Sequence, residues 1–353
     1  MTSVDVASEA GVSQATVARV FSAPDKVAPA TRAKVQAAAD RLGYVPNAIA
    51  RSLKSQRTNI IGAVVPAFGE YWQHVVTQFS QRLSDRGLQL LLFSFTEEDR
   101  VERAVAAVDQ YRLDGLIMAS AVIGPEQLAR MSDRDLPLVA FNQPAAAGII
   151  PSVSVDNEEG ARRIAEHVVD VGVERALFVG GVASTSTDSL RYRGAAQALG
   201  ERGVACPYLA CGAFSYEAGY KAAAAVLERQ PLPDAVIVSA DELALGLIDG
   251  LRTNGVDVPG ELLVTGFDGL PQVEWTGYDL TTLVQNIEGL TDRAIDLLLD
   301  QIERGSGAGA GAGGAPVAEM VPGTLRVGAT TTGRGRDAVN HDDKDKEPRS
   351  DHG

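Results

Sequence analysis

Residues 2–22 read TSVDVASEAGVSQATVARVFS and carry two helix starts on either side of a turn. Thr2 with Asp5 fits a capping box, and Val4, Val6, Ala7 and Ala10 supply an apolar stripe that stops at Gly11, a residue suited to a left-handed helix end. Ser13 then caps a second helix, in which Ala15, Thr16, Val17 and Val20 alternate with Gln14, Ala18 and Arg19. A third helix starts at Pro29, a residue suited to a first turn, and runs through Thr31, Val35, Ala38 and Leu42 to Gly43. Three short helices of this kind share one miniature core, and the first two form a helix-turn-helix pattern.

The outer face of the second helix offers Gln14, Ala15 and Arg19, types that read adenine edges, thymine methyls and guanine edges in a major groove. On spacing alone the same residues also suit a solvated helical hairpin. Charge separates the two readings. The chain carries a net −14, which by itself argues against a polyanionic partner, yet residues 1–59 hold eight Lys or Arg against four Asp or Glu. That surplus of four leaves the remainder at −18, the mark of a small basic head on an acidic body.

Residues 46–59, PNAIARSLKSQRTN, continue the head. Asn47 is a capping residue, and Ile49 and Leu53 stand at an i,i+4 spacing. A helix this short is marginal alone, since isolated helices below roughly 12 residues do not persist in water. It packs on something or forms when a partner arrives.

After Asn59 apolar runs recur with amphipathic stretches between them: IIGAVVP (60–66), LQLLLFSF (88–95), GLIMAS (115–120), LPLVAFN (136–142), RALFVGG (175–181), AVIVSAD (235–241) and LLVTGFD (262–268). Strands alternating with helices predict doubly wound parallel sheets, and two similar halves predict two α/β lobes with a cleft between them. Ligands of open α/β sheets sit beyond the carboxyl ends of the strands. That rule gathers the 66–72 stretch with Phe68, Tyr71 and Trp72, then Ser120, Asn142, residues 181–189, Asp241 and Asp268 around one cleft. Phe68, Tyr71, Trp72 and Phe214 suit an apolar ring face, while Asn142, Arg191, Asp241 and Asp268 suit hydroxyls or a charged group. Asp241 serves equally well as the cap of its helix; for Asp268 ligand contact is the favoured reading.

A length of 353 residues predicts two or three domains. No run of about 18 apolar residues occurs, and the start lacks a basic-then-hydrophobic segment, so neither a membrane partner nor a secretory signal is expected and the cytoplasm is favoured. Cys206, Cys211 and four histidines make no metal-ligand spacing; no metal or cofactor is expected. GGVASTSTDS (180–189) matches neither GxxxxGK[ST] nor GxGxxG, and no GxSxG elbow occurs, so binding rather than catalysis is expected. GSGAGAGAGGA (305–315) reads as a surface loop, and the polar residues 333–353 read as a disordered tail.

DVASEAGVSQATVARVFS (5–22) and KVAPATRAKVQAAADRLGYVPNAIARSL (26–53) resemble the DNA-binding head of the lac repressor family, almost without a gap over residues 2–58. SVSVDNEEGAR (152–162), ALFVGG (176–181), RYRGAAQAL (191–199), FSYEAGY (214–220), the stretch from Ser239 to Gly269 and LTTLVQN (280–286) are similar to the effector core of that family, itself related to periplasmic sugar-binding proteins. The resemblance implies a homodimeric transcriptional regulator that binds a palindromic operator and a small effector of carbohydrate-related chemistry. It implies DNA contacts from Ser13, Gln14, Ala15, Thr16 and Arg19. It also implies a hinge helix in which Asn47, Ala50, Leu53 and Lys54 meet the minor groove, with Leu53 as a wedge at the central base step. Arg191, Asp268, Phe214, Gln285 and the 68–72 loop would hold the effector.

The expected organisation is a head at 1–45, hinge and linker at 46–59, and a core at 60–332. Lobe 1 takes about 60–156 and 286–318, and lobe 2 about 157–285 and 319–332. Four departures stand out: Ala18 for a serine, Ala28 for a helix-capping serine, Ala240 for an asparagine and Gly269 for an aspartate. The last two predict a less polar effector. With no leucine heptad after the core, a dimer is the expected limit.

Overall fold

The computed structural model describes residues 1–22, 24–44, 57–67, 69–96, 101–119, 123, 125–132, 136–144, 148–305 and 316–332. The head is α1 (Ser3–Ala10), α2 (Gln14–Ser22) and α3 (Pro29–Leu42). Thr2 and Asp5 exchange bonds as a capping box, the Thr2 amide donating to Asp5 at 2.8 Å and the Asp5 amide to the Thr2 hydroxyl at 3.4 Å. The first and third helices end at Gly11 and Gly43, both with φ 60°. Val6, Ala10, Val17, Val20, Val35 and Ala38 form the miniature core. Val4 is not part of the stripe: it is 56% exposed, because two residues turn a helix by about 200° and carry it opposite Val6. Ala28 precedes α3 without a side-chain capping bond, as its methyl dictates.

The body is two six-stranded sheets. The strands are β1 (Ile60–Pro66), β2 (Gln89–Phe95), β3 (Gly115–Met118), β4 (Leu138–Phe141), β5 (Ser152–Val155), β6 (Ala176–Gly180), β7 (Tyr208–Ala210), β8 (Ala235–Val238), β9 (Leu263–Asp268), β10 (Thr281–Val284), β11 (Ala318–Val321) and β12 (Thr324–Arg326). One sheet runs β11-β5-β4-β3-β1-β2 and the other β12-β10-β9-β8-β6-β7. All pairings are parallel except β10 with β12. Six of the seven apolar runs lie inside the two sheets, and the seventh, β2, forms an edge of the first. The five remaining strands are short or hydroxyl-rich, SVSV and TTLV among them, and carry no continuous apolar signal.

The helices between them are α4 (Glu70–Asp85), α5 (Val101–Val108), α6 (Pro125–Ser132), α7 (Asn157–Asp170), α8 (Ser186–Glu201), α9 (Tyr216–Leu227), α10 (Asp241–Thr253) and α11 (Ile287–Arg304). The chain crosses between sheets after β5, after β10 and between β11 and β12. The last crossing follows Val321, three residues beyond the expected 318/319 boundary, because β11 pairs with β5 over Ala318–Val321. The covering helices pack closely: a Cβ on Gly219 or Gly246 would lie 1.9 Å from the carbonyl oxygen of Leu243 or Tyr216, so α9 and α10 touch backbone to backbone.

Candidate functional site

Strand ends and helix starts converge where the two sheets face each other. Arg191, on the second turn of α8, is 4% exposed. Its Nε donates to Asn157 Oδ1 at 2.8 Å, Nη1 to the Ser239 carbonyl at 2.5 Å, and Nη2 lies 3.2 Å from Asp268 Oδ1. The guanidinium carbon sits 3.7 Å from the centre of the Phe267 ring. Asp268 ends β9 with φ 129°, a conformation that is strained for a residue with a Cβ. Its Oδ1 also accepts Gln285 Nε2 at 2.7 Å. Burial pushes the Asp268 carboxyl up from its ordinary range, and Arg191 and Gln285 oppose the shift.

The network continues into the first lobe. The Tyr71 hydroxyl, on the first turn of α4, donates to Gln285 Oε1 at 3.1 Å and accepts Asn142 Nδ2 at 3.0 Å. Burial first, and Asp268 second, hold its phenol far above the usual range. Asn142 sits just past β4 at φ 50°, which asparagine tolerates, and its buried Oδ1 has no hydrogen-bond partner. Trp72 packs edge-on to Tyr71, with ring centres 5.1 Å apart. A second approach between lobes comes from Glu242, whose carboxylate lies beside Gly69 at the start of α4 and is pushed up mainly by burial. Phe214 lies on the other side, against Gly181.

Asp241 stands apart from the effector contacts with which it was grouped. It is fully buried, and it neither caps its own helix by a side-chain bond nor faces the cleft network. Its Oδ2 accepts the amides of Gly269 and Leu270 at 2.6 and 2.9 Å, and its Oδ1 accepts the Thr282 hydroxyl at 2.5 Å. Oδ2 is thus spent on the loop that follows Asp268, and Oδ1 on β10 beside it. Burial and then the nearby Asp268 push its carboxyl up to about 7. Gly269 also acquires a reason: φ is 77° and a Cβ would meet Val284 Cα at 2.7 Å, so the loop excludes any side chain at that position.

The structure therefore brings Tyr71, Asn142, Arg191, Asp268 and Gln285 into one hydrogen-bonded set, with Trp72 beside it and Phe214 packed against Gly181. Sequence reasoning missed Asn157 and Ser239, which hold Arg191, and Glu242; Asn157 lies inside the quoted SVSVDNEEGAR motif, and the Ser239 contact runs through a carbonyl that every residue has. Phe68 and Ser120 lie outside the described residues. Among the described residues no group of three or more His, Cys, Asp or Glu side chains is placed to hold a metal ion.

On the head, Gln14, Ala15 and Arg19 are exposed along α2. Ser13 Oγ accepts the Thr16 amide at 3.1 Å, and Gln14 Nε2 donates to Ser3 Oγ at 2.9 Å, which ties the first exposed residue of α2 to α1. The expected hinge contacts Asn47, Ala50, Leu53 and Lys54 lie outside the described residues.

Residues 3–47 match the profile of bacterial regulatory proteins of the lacI family, and residues 165–331 match that of a periplasmic binding protein-like domain. The chain is 30% identical to catabolite control protein A of Priestia megaterium over 84% of its length and 91% of that protein. It is 32% identical to the HTH-type transcriptional repressor PurR of Yersinia enterocolitica over 84% of its length and 89% of that protein. Its fold superposes on the crystal structure of the lac repressor dimer bound to operator and the anti-inducer ONPF with a TM-score of 0.80 at 24% identity, covering 94% of this chain and 99% of that one.

Proposed function

Because this chain belongs to the lacI family of bacterial regulatory proteins, with a DNA-binding head and an effector-binding core, we propose that it acts in the cytoplasm as a homodimer on a palindromic operator, under control of a sugar or related polyol. The observation that carries this reading is the network of Arg191, Asp268, Gln285, Tyr71 and Asn142, which joins both lobes at the carboxyl ends of their strands. Donors and acceptors in pairs, flanked by Trp72 and Phe214, suit hydroxyls on an apolar ring. The orphaned Asn142 Oδ1 is an acceptor still open to a ligand hydroxyl.

Exposed apolar side chains support the dimer. Leu92, on the edge strand β2, is 44% exposed, and on the second lobe Trp275 is 59% exposed while Tyr216 and Tyr220 are exposed and stacked on each other. The hydroxyls of Tyr216 and Tyr278 both donate to Asp249 Oδ2 at 2.6 Å, which fixes these rings as a preformed surface. Surfaces of this kind on both lobes suit a long contact with a second copy. Two heads on a twofold axis then read inverted half-sites through Ser13, Gln14, Ala15, Thr16 and Arg19, with the hinge residues Asn47, Ala50, Leu53 and Lys54 between them. In this organisation residues 1–45 form the head, 46–59 the hinge and linker, and the rest of the described chain the two lobes.

A gel shift against DNA upstream of the chain's own gene tests the DNA arm, with Arg19→Ala as control. Sequence-selective binding lost in that variant is the expected result; absence of binding at low salt overturns the regulator's proposed operator. A thermal-shift screen of sugars, polyols and nucleosides tests the effector arm. A ligand at 100 times its dissociation constant adds about 2.7 kcal/mol, and repeating the gel shift with it reads the direction of control.

A further inference from the structure

Residues 57–59 join the linker to the first lobe, and a single carboxylate holds them there. Asp114 Oδ1 accepts the Thr58 amide at 2.7 Å and the Thr58 hydroxyl at 2.8 Å, and Oδ2 accepts the Asn59 amide at 2.8 Å. Asp114 is itself fixed, since its amide donates to the Ile60 carbonyl at 2.9 Å and β3 begins at the next residue. The Asn59 carbonyl accepts the Gln89 amide at 2.8 Å, so the attachment lies where β2, β1 and β3 all begin, at the end of the sheet opposite the cleft. Asn59 has φ 57°, so the backbone bends at the clamp. The neighbouring Arg57 donates from Nη2 to the Ile302 carbonyl at 3.3 Å, in the last turn of α11.

Three donors on one carboxylate are more than the β1 ladder requires, because its pairing starts at Ile60. Hydrogen bonds to an ionised acceptor are the strong ones, and here they all act on the path of the linker. The helix reached by Arg57 begins two residues after Gln285. Asn286 caps it, and its 18 residues span about 27 Å. Thus the cleft network and the linker touch opposite ends of one rod.

We propose that Asp114 is a positioning residue for operator binding: it fixes the direction in which each linker leaves its lobe, and α11 brings the state of the cleft to the same point through Arg57. This rests on the paired heads proposed above. A clamped linker sets the separation of two heads, whereas an unclamped one leaves them tethered by chain that tolerates many separations. Loss of the clamp therefore relaxes discrimination between half-site spacings and leaves the affinity of one head for one half-site intact.

The test uses the full chain and a half-site recovered by selection from random duplex DNA. The half-site is presented singly and as inverted repeats whose spacing changes one base pair at a time. The wild-type chain is expected to favour one spacing by about tenfold or more, and Asp114→Ala to hold all spacings within about threefold, with unchanged single-site affinity. Thr58→Val removes one of the three donors and is expected to fall between them; it decides the matter if Asp114→Ala fails to fold. Spacing preference retained in a folded Asp114→Ala chain, or in Thr58→Val where that chain does not fold, overturns the proposal. So does a loss of single-site affinity that tracks the loss of preference. A wild-type chain indifferent to spacing overturns instead the paired-head reading on which the proposal stands.

Discussion

Two arginines mark the two ends of this molecule's chemistry, and the chain treats them in opposite ways. Arg19 stands exposed on α2, while Arg191 is 4% exposed and held by Asn157, Ser239 and Asp268 over the Phe267 ring. Under the function proposed above the head's arginine takes its partners from nucleic acid, so its contribution would appear in binding and be screened by salt. The cleft's arginine already has its partners, so any ligand meeting it would exchange one hydrogen bond for another and the net gain per bond would be small. The difference shows why one site is built from solvated side chains and the other from a network that doubles as part of the fold.

The largest effect that could break this contrast is Arg191→Ala. It leaves Asp268 buried without its cation and strands Asn157, and a loss of about 3–5 kcal/mol is expected from chemical denaturation. A change below about 1 kcal/mol would place Arg191 with Arg19, as a residue whose worth lies only in binding.

Titration sharpens the comparison from the acidic side. The carboxyl of Asp241 is raised in the folded state to about 7, from an ordinary value of 3.8, by burial first and Asp268 second. The folded chain therefore holds a proton that the unfolded chain has released across that window. Stability contributed by this group is full below the ordinary value and falls as pH rises toward the folded one, by up to about 1.4 kcal/mol per pH unit. Asp241→Asn removes the titration and is expected to flatten the profile of denaturation midpoint against pH between about 4 and 7.

Arg19→Ala tests the solvated end. It should cost about 1–3 kcal/mol of discrimination at one base pair of the selected operator while the denaturation midpoint stays put. The smallest expected change is a gain: Ala28→Ser restores a capping hydroxyl before α3 and should stabilise the head by roughly 1 kcal/mol, read by thermal melting of the full chain's helical signal.

Much of the fold was legible because it depends on periodicity and punctuation. The Thr2 and Asp5 capping box, the Gly11 and Gly43 helix ends and the seven apolar strands all stand where their residue types require. Strands such as SVSV and TTLV escaped because three or four residues of mixed polarity have no period to read. In the cleft, Tyr71, Asn142 and Asp268 come together as their places at strand ends and helix starts predict, joined by Arg191 and by Gln285, which only the family resemblance implied. Asp241 is the instructive exception: it sits at a strand end like Asp268, yet it points into the loop it supports. Gly269 looked like a lost acid, but the close approach of Val284 makes glycine a steric requirement there.

The sequence by itself determined the three-helix head, the alternation that makes two parallel sheets, and the family to which both belong. These follow from local propensity and from the spacing of apolar residues, which act within a few turns of chain. Only the tertiary structure decided which carboxylate faces the cleft, which one clasps a loop, and that Asp114 reaches back 55 residues to hold the linker. Such roles depend on which backbone groups lie within 3 Å of an oxygen, and that is settled when distant segments pack.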